Sequence, residues 1–443
     1  MTSDLPSEAE HFLVCLSGPD QGKRIALRTD EAMLGRSLDC NLLSDDPEVA
    51  TCHVALAVAS GRPVFRTVGG AAVYVDGHRA AEGSLSPRQQ IRIGRSMWQL
   101  VTDQAGGGLS GWLDNLGGHI SFVAGVERVR GFSVREMFSE VFRKRDDEDL
   151  EEYFLVGAPS TTPSLTEVDT RWPKPWVFAQ IFGLSLIVYL GFVFALQQFL
   201  NVRLVPGVII TGSFLVPFSL LIFFFEVNVA RNVSLYQVIK LVFTGGILSL
   251  ILSLFLFEQT RLSSWLGAMS AGLVEESGKA ATLLLVVNKL RYRWTLNGLV
   301  FGAAVGTGFA SFESAGYALE WGMKSSNQGI ALEPLLDIIK NRGLLSVLGG
   351  HVLWTGLVGA ALWRVRGDQE FSFAMVKDPR FLRVFGLAVG IHMIWNSPLL
   401  GEHFYFKAIP LGFVAWMAIL GFVQDGLKQL RLAKQEATQP VAT

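Results

Sequence analysis

The chain is expected to be of mixed class: an N-terminal β-sandwich followed by an all-α, multi-pass transmembrane bundle of about eight helices. Three observations predict this. Half of the 443 residues are hydrophobic and only 17% are charged, yet the long apolar runs fall almost entirely within 176–425, while 1–175 is mixed and polar. Short alternating runs, separated by Gly, Asp and Pro, fill residues 11–103. Beyond residue 176 the apolar runs recur at lengths near the roughly 20 residues that a bilayer core requires.

The strands come first. Phe12-Leu13-Val14-Cys15-Leu16, Arg24-Ile25-Ala26-Leu27, Val54-Ala55-Leu56-Ala57-Val58, Val64-Phe65-Arg66, Val73-Tyr74-Val75, Ile91-Arg92-Ile93 and Trp98-Gln99-Leu100-Val101 read as short strands. Gly18-Pro19-Asp20 and Asp76-Gly77 are turn signals between them. Residues 104–175 read as connection. A Gly-rich linker (Gly106-Gly107-Gly108) leads to an amphipathic helix over Ser133–Tyr153, where Arg143-Lys144-Arg145 meets Asp146-Asp147-Glu148-Asp149 in a self-paired, solvated face. A Pro-rich linker ends in Trp172-Pro173-Lys174-Pro175-Trp176, aromatic anchors for a bilayer surface.

Eight spans are expected near 176–199, 205–225, 236–257, 262–288, 295–319, 343–363, 381–400 and 406–427, with 428–443 as a tail. The outer loop around 321–342 is the longest, and Glu333 to Ile339 suits a short interfacial helix. Basic residues are denser on the side reached by Arg171, Lys174, Arg231, Lys289, Arg291, Arg293, Arg364 and Arg366 than on the side of Arg203, Arg261, Lys324, Lys340, Arg342 and Lys407. By the positive-inside rule both termini then lie in the cytoplasm. Cys15, Cys40 and Cys52, without CxxC spacing, suit that reducing setting and indicate neither a disulfide framework nor a zinc finger. A net charge of −1 gives no sign of a nucleic-acid partner. The first thirty residues show no secretory signal pattern.

The chemistry gathers in the apolar half. Glu275-Glu276-Ser277-Gly278-Lys279 interrupts a span. Each charge at the bilayer centre costs about 2.5–3.5 kcal/mol on insertion scales, so something must compensate. Glu313, His351, His392 and Asn396 fall in later spans. Glu275 and Lys279, Phe309 and Glu313, and His392 and Asn396 are each four apart, so each pair shares a helix face. Lys279 can neutralise one carboxylate and leave the other for chemistry. Such groups, brought to one water-containing cavity, suit acid–base work. Plainer readings exist: a structural Glu–Lys pair, histidines as interhelical donors, and Asn396 capping a kink before Ser397-Pro398. Gly302-x-x-x-Gly306 reads as close helix packing.

Two resemblances add to this. Leu34-Gly35-Arg36, His53, Val75-Asp76-Gly77 and Ile93-Gly94 resemble, in order, the landmarks of forkhead-associated (FHA) domains, over about ninety residues. That resemblance implies a β-sandwich that docks a cytoplasmic protein partner. It implies phosphothreonine-peptide binding through Arg36, although Ala50 and Ala71 stand where the family has hydrogen-bonding Ser and Asn.

From Trp176 onward the chain resembles the PrsW family of intramembrane proteases and the wider CAAX-endopeptidase and Abi group. The residues that carry this are Glu275-Glu276-Ser277-Gly278-Lys279, Phe309-Ala310-Ser311-Phe312-Glu313, His351 and His392-Met393-Ile394-Trp395-Asn396. The resemblance implies an endopeptidase of the bacterial cytoplasmic (inner) membrane that hydrolyses a peptide bond of a membrane-anchored protein. A glutamate in a low-dielectric cavity is a stronger base than in water, and Glu275 is the choice for that base. Glu276 would be its neighbour and Lys279 the counter-charge. Glu313 would help hold water or metal, and His392 and Asn396 would donate to the oxyanion. The family is described both as glutamic-type and as metalloprotease. In the second case Glu275, Glu313, His351 and His392 would bind Zn²⁺; there is no His-Glu-x-x-His. Other classes consistent with the same residues are a proton-coupled transporter and a catalytically silent membrane scaffold.

Overall fold

The computed structural model describes residues 10–438, apart from positions 22, 28–30, 38–39, 41, 60, 87–88, 104–108, 130, 288–289, 325–329 and 400–403. Lys289, Gly106-Gly107-Gly108 and the end of the tail lie outside the described residues. The chain divides into two compact units, Met1–Leu116 and Gly117–Thr443.

The first unit is the expected sandwich. Its strands are β1 (Glu10–Ser17), β2 (Arg24–Leu27), β3 (Ala32–Gly35), β4 (Leu42–Leu43), β5 (Val54–Ala59), β6 (Arg62–Thr67), β7 (Val73–Val75), β8 (His78–Ala80), β9 (Glu82–Ser84), β10 (Gln90–Ile93) and β11 (Ser96–Asp103). One sheet runs β2-β1-β11-β10-β7-β8 and the other β4-β3-β5-β6-β9. Alternation puts Leu13, Cys15, Leu56, Phe65, Ile91, Ile93, Trp98 and Leu100 in one buried core. Asp76 and Gly77 both have positive φ, 48° and 85°. That is what a two-residue hairpin matched to strand twist demands, and it explains the Asp-Gly.

The connection is more structured than its Gly and Pro content implies. Helix α1 (Leu109–Ala124) lies in the stretch expected as linker, across the boundary between the two units. The amphipathic segment forms two short helices, α2 (Val134–Met137) and α3 (Asp147–Phe154), rather than one. Asp146 starts α3 as the N-cap of a reciprocal capping box with Asp149, so part of the acidic run caps a helix instead of pairing with the basic run. Arg145 pairs with Glu140 at 3.1 Å and lies 3.8 Å above the Trp176 ring. Trp176 is buried in an apolar cluster with Val177 and Ile222, not displayed as a surface anchor.

The bundle comprises α4 (Val177–Phe199), α5 (Val205–Val227), α6 (Leu235–Lys240), α7 (Gly246–Thr260), α8 (Ser263–Leu266), α9 (Ser270–Val286), α10 (Thr295–Lys324), α11 (Leu332–Ile338), α12 (His351–Arg366), α13 (Pro379–Asn396) and α14 (Phe404–Thr438). A π-turn joins α6 to α7, and a π-turn and a 3₁₀ turn continue α11 toward α12. Six of the resulting helical runs are long and apolar enough to cross a membrane. The fourth and seventh expected spans correspond to α9 and α13, of 17 and 18 residues. Helix α9 is one of the shorter helices and carries Glu275, Glu276 and Lys279, while α13 carries Arg380 and Arg383 besides His392, and those polar residues lower their hydropathy. Helix α14 runs through Pro410 to Thr438, so much of the expected tail is helical.

Small residues bring the key helices together. A Cβ on Gly302 would collide with Thr355 O, and one on Gly306 would meet His351 O at 2.5 Å. The Gly-x-x-x-Gly stripe of α10 therefore seats α12 in close contact and places the start of α12 beside Phe309 and Glu313. Glu226, near the end of α5, accepts from the amides of Trp176, Val177 and Phe178 at 2.8, 2.9 and 2.8 Å. This buried carboxylate caps α4 and fixes the first span against the second.

Candidate active site

Helix α9 presents Glu275, Glu276 and Lys279 to the bundle interior, at 5%, 0% and 0% exposure. Lys279 donates to Glu276 Oε1 at 2.6 Å and lies 4.3 Å above the Phe309 ring. That choice of partner separates the two carboxylates: Glu276 is ion-paired, and Glu275 is not.

His392, on α13, is 1% exposed. Its Nδ1 lies 3.0 Å from Glu276 Oε1, and Trp354 stacks on its ring at 4.2 Å. A carboxylate only accepts, so Nδ1 carries the proton and Nε2 keeps its lone pair. That Nε2 is 3.8 Å from Glu275 Oε2.

His351 opens α12 after an extended Gly350 breaks the preceding helix. Its Nε2 lies 2.9 Å from Glu313 Oε2. Its Nδ1 lies 2.9 Å from Lys279 Nζ and 3.8 Å from Glu275 Oε2. Lys279 only donates, so Nδ1 is the acceptor and Nε2–H points to Glu313. Each imidazole thus hands one nitrogen to a carboxylate and turns the other toward Glu275.

Glu313 stands behind His351, on the imidazole nitrogen away from Lys279. Arg342, on the π-turn Ile339–Gly343, reaches Glu313 Oε2 at 2.6 Å and covers the Tyr317 ring at 4.3 Å. This revises the expected ligand set: the donors that converge within 4.8 Å of one another are Glu275, His351 and His392, without Glu313. Asn396 lines a cavity of about 30 Å³ with Arg342, His351, His392, Trp354 and Trp395, a size suited to a single water.

The sequence reading missed Arg342, assigned there to an outer loop. A charge count could have found it. Three buried carboxylates near one lysine need a second cation, and Arg342 is the basic residue next to the run leading into His351. Even with Arg342 one negative charge is uncompensated while both imidazoles are neutral. Glu275 Oε2 has no hydrogen-bond partner among the described residues.

One carboxylate and two imidazoles are a donor set suited to a divalent cation, but the donors would have to close in: tetrahedral ligands at about 2.0–2.1 Å from one ion lie roughly 3.3–3.4 Å apart, whereas Glu275 Oε2 is 3.8 Å from each imidazole. Carboxylates behind both histidines are the usual support of metal-bound imidazole. Lys279 would have to turn from His351 Nδ1, which it now occupies.

Residues 216–423 match the family described as PrsW family intramembrane metalloprotease. The membrane domain belongs to the PrsW family. Membership places the PrsW domain among peptidases that act on protein substrates. Residues 14–104 match a second family, described as inner membrane component of T3SS, cytoplasmic domain. Similar solved structures include the FHA domain of the CT664 protein from Chlamydia trachomatis (18% identity, 21% of this chain and 96% of that chain, TM-score 0.20). The cytoplasmic domain of the T3SS sorting platform protein PscD from P. aeruginosa is another (23% identity, 21% and 81%, TM-score 0.20). A third is the Mycobacterium tuberculosis Rv1747 FHA-1 domain (16% identity, 22% and 98%, TM-score 0.19). No curated protein matches the chain.

Proposed function

We propose that the chain is an intramembrane endopeptidase in which Glu275 activates water against a peptide bond of a membrane-anchored protein. The observation that carries this is the unpartnered Oε2 of a buried carboxylate, 3.8 Å from two imidazole nitrogens. Buried and without a hydrogen bond on that oxygen among the described residues, it is the carboxylate of the group left open to take a proton from water. Water held by Glu275 and the His392 Nε2 lone pair gives its proton to Glu275 as its oxygen attacks the scissile carbonyl. The C–N bond then breaks, and the same proton passes from Glu275 to the leaving amine.

His392 Nε2, lacking a proton in this tautomer, accepts from water rather than donating to the oxyanion. The oxyanion donors we assign are Asn396 and the Nε–H of Arg342, which is buried without a partner and whose residue lines the same cavity. Lys279 holds Glu276 ionised, so that Glu276 fixes the His392 tautomer. A divalent cation such as Zn²⁺, held by Glu275, His351 and His392, would polarise the carbonyl and make its water more acidic.

Both termini are assigned to the cytoplasm on the distribution of basic residues, which puts the sandwich there as a regulatory or docking domain. Arg36 is exposed at its loop face, but its Nε–H already donates to Val49 O at 2.5 Å. His53, at 4% exposure, accepts from the Ala50 amide at 3.0 Å and donates to Ala72 O at 3.1 Å, so it braces the loops. The docking partner is therefore a protein bound with little contribution from phosphate.

The test is cleavage of a membrane-anchored substrate in proteoliposomes, with metal content measured on the same preparation. Glu275→Gln should abolish cleavage while the protein inserts and folds normally. Full cleavage by that variant would overturn the proposal. Loss of activity with a chelator and its return with Zn²⁺ would assign the metallo-type.

A further inference from the structure

The sandwich holds a second reactive pair, remote in sequence from the glutamates. Cys40, after β3, and Cys52, before β5, approach with Sγ atoms 3.5 Å apart. Their loops are already joined by backbone. The Arg36 amide donates to Ala50 O and the Ser37 amide to Thr51 O, both at 3.0 Å. The Cys40 thiol donates to Thr51 O at 3.1 Å. These bonds from Arg36, Ser37 and Cys40 keep the two sulfurs near one another. Cys40 is buried and Cys52 half-buried, so one sulfur is open to a small oxidant and the other shielded behind it. Cys15 differs: it is 2% exposed in the hydrophobic core.

We propose that Cys40 and Cys52 are a redox modification site, closing reversibly to an intradomain disulfide in response to a peroxide or a small-molecule disulfide. With peroxide, the Cys52 thiolate attacks one oxygen, the O–O bond breaks, and sulfenic acid and water form. The Cys40 thiolate then attacks the Cys52 sulfur, forms the S–S bond and expels hydroxide, which leaves as water. Two thiols lose two electrons and two protons, and one peroxide becomes two waters. A dithiol reverses the step. The sulfurs are within about 1.5 Å of the roughly 2.05 Å bond length. The bond would tie the loop that carries Arg36 to the loop that carries Ala50, the face assigned above to docking. It would lower the mobility of that face when oxidant is present. The site does not depend on the peptidase reading.

The experiment uses the full-length protein in proteoliposomes, treated with hydrogen peroxide or oxidised glutathione, alkylated and mapped by non-reducing mass spectrometry. The expected product is one Cys40–Cys52 linked peptide that has lost two hydrogens, disappears with dithiothreitol, and leaves Cys15 alkylated only after denaturation. Amide exchange at Arg36 and Ser37 should slow several-fold in the oxidised form. Cys40→Ser should divert Cys52 to a glutathione mixed disulfide, and Cys52→Ser should leave Cys40 reduced. Over-oxidation of Cys52 without a linked peptide, or linkage only between two chains, would overturn the proposal. So would unchanged exchange in a linked domain, for the effect on the docking face.

Discussion

The sandwich and the membrane bundle each bury a group of carboxylates, and they treat them differently. In the sandwich, Asp20 Oδ1 accepts from Lys23 at 2.6 Å and the Asp45 amide at 2.7 Å, and Oδ2 from Ser44 at 2.5 Å and Ser96 at 3.4 Å. Asp46 accepts from the Glu48 and Arg95 amides at 3.0 and 2.7 Å and from Ser96 at 2.9 Å. Both aspartates have partners on both oxygens. In the bundle, Glu275 and Glu276 each keep one oxygen without a hydrogen bond, and Glu313 Oε2 is contacted by Arg342 and His351 without good alignment. A saturated cluster holds loops together. An unsaturated one retains free-energy cost that only water, a proton, a cation or substrate can relieve. Burial alone does not distinguish the two groups of acids; the satisfaction of their oxygens does.

The largest effect should come from Glu275→Gln. Cleavage should fall by about 10²–10⁴-fold, the range for a general base, with the thermal unfolding midpoint unchanged or raised because an uncompensated charge is gone. A clear drop in stability would make Glu275 a structural acid like Asp20 and erase the contrast.

Arg342 comes next. Arg342→Gln should lower kcat by about 10²–10³-fold, the range for loss of one oxyanion donor, with Arg342→Lys recovering part of the loss. Equal loss in both variants, accompanied by misfolding, would reduce Arg342 to a packing role.

In the sandwich the sign reverses. Asp20→Ala should destabilise that unit by about 1–3 kcal/mol, the cost of stranding buried partners, read by hydrogen exchange in the full chain. Cleavage in detergent should stay unchanged. A loss of cleavage with the sandwich still folded would mean that the two clusters are not independent in role.

The pH dependence sharpens the same point. Burial would raise the Asp20 carboxyl, but hydrogen bonds from Lys23, Ser44 and the Asp45 amide outweigh it and hold the group below the usual carboxylate range. Burial would lower Lys23, but Asp20 and Asp45 hold it above the usual lysine range. The depressed acid contributes stability above its unfolded value, near 3.9, and loses it as pH falls through the folded value. The raised base contributes below its unfolded value, near 10.4, and loses it as pH rises through the folded one. Sandwich stability should therefore be flat between these limits, and Asp20→Asn should flatten the acid limb. The smallest effect is expected at the loop face: Arg36→Ala should change affinity for a phosphothreonine peptide by less than about tenfold, since one exposed charge pair contributes about 0–1 kcal/mol. A larger loss, by titration calorimetry, would restore a phosphate pocket.

Local pattern carried much of this molecule. The period-two runs around Leu13, Ile91 and Trp98 declare a half-buried strand face wherever they occur, and the apolar runs declare spans, because both follow from which residues water rejects. The expense of Glu275, Glu276 and Lys279 in hydrocarbon marked the site for the same reason. The signal was weakest where the spans are shortest: α9 and α13 carry the polar residues and so look least like membrane helices. Part of the expected linker is helical at α1, because Gly content lowers helix propensity without forbidding a helix.

What the chain's own order of residues determined is the two-part class, the set of buried acids and imidazoles, and the small-residue stripe of α10. Tertiary structure decided which carboxylate Lys279 takes, that Glu313 stands behind His351, that Arg342 balances it, and which nitrogen of each histidine faces Glu275. Those outcomes turn on distances of a few ångströms between helices far apart in sequence, and electrostatic energy in a dry interior depends on just those distances.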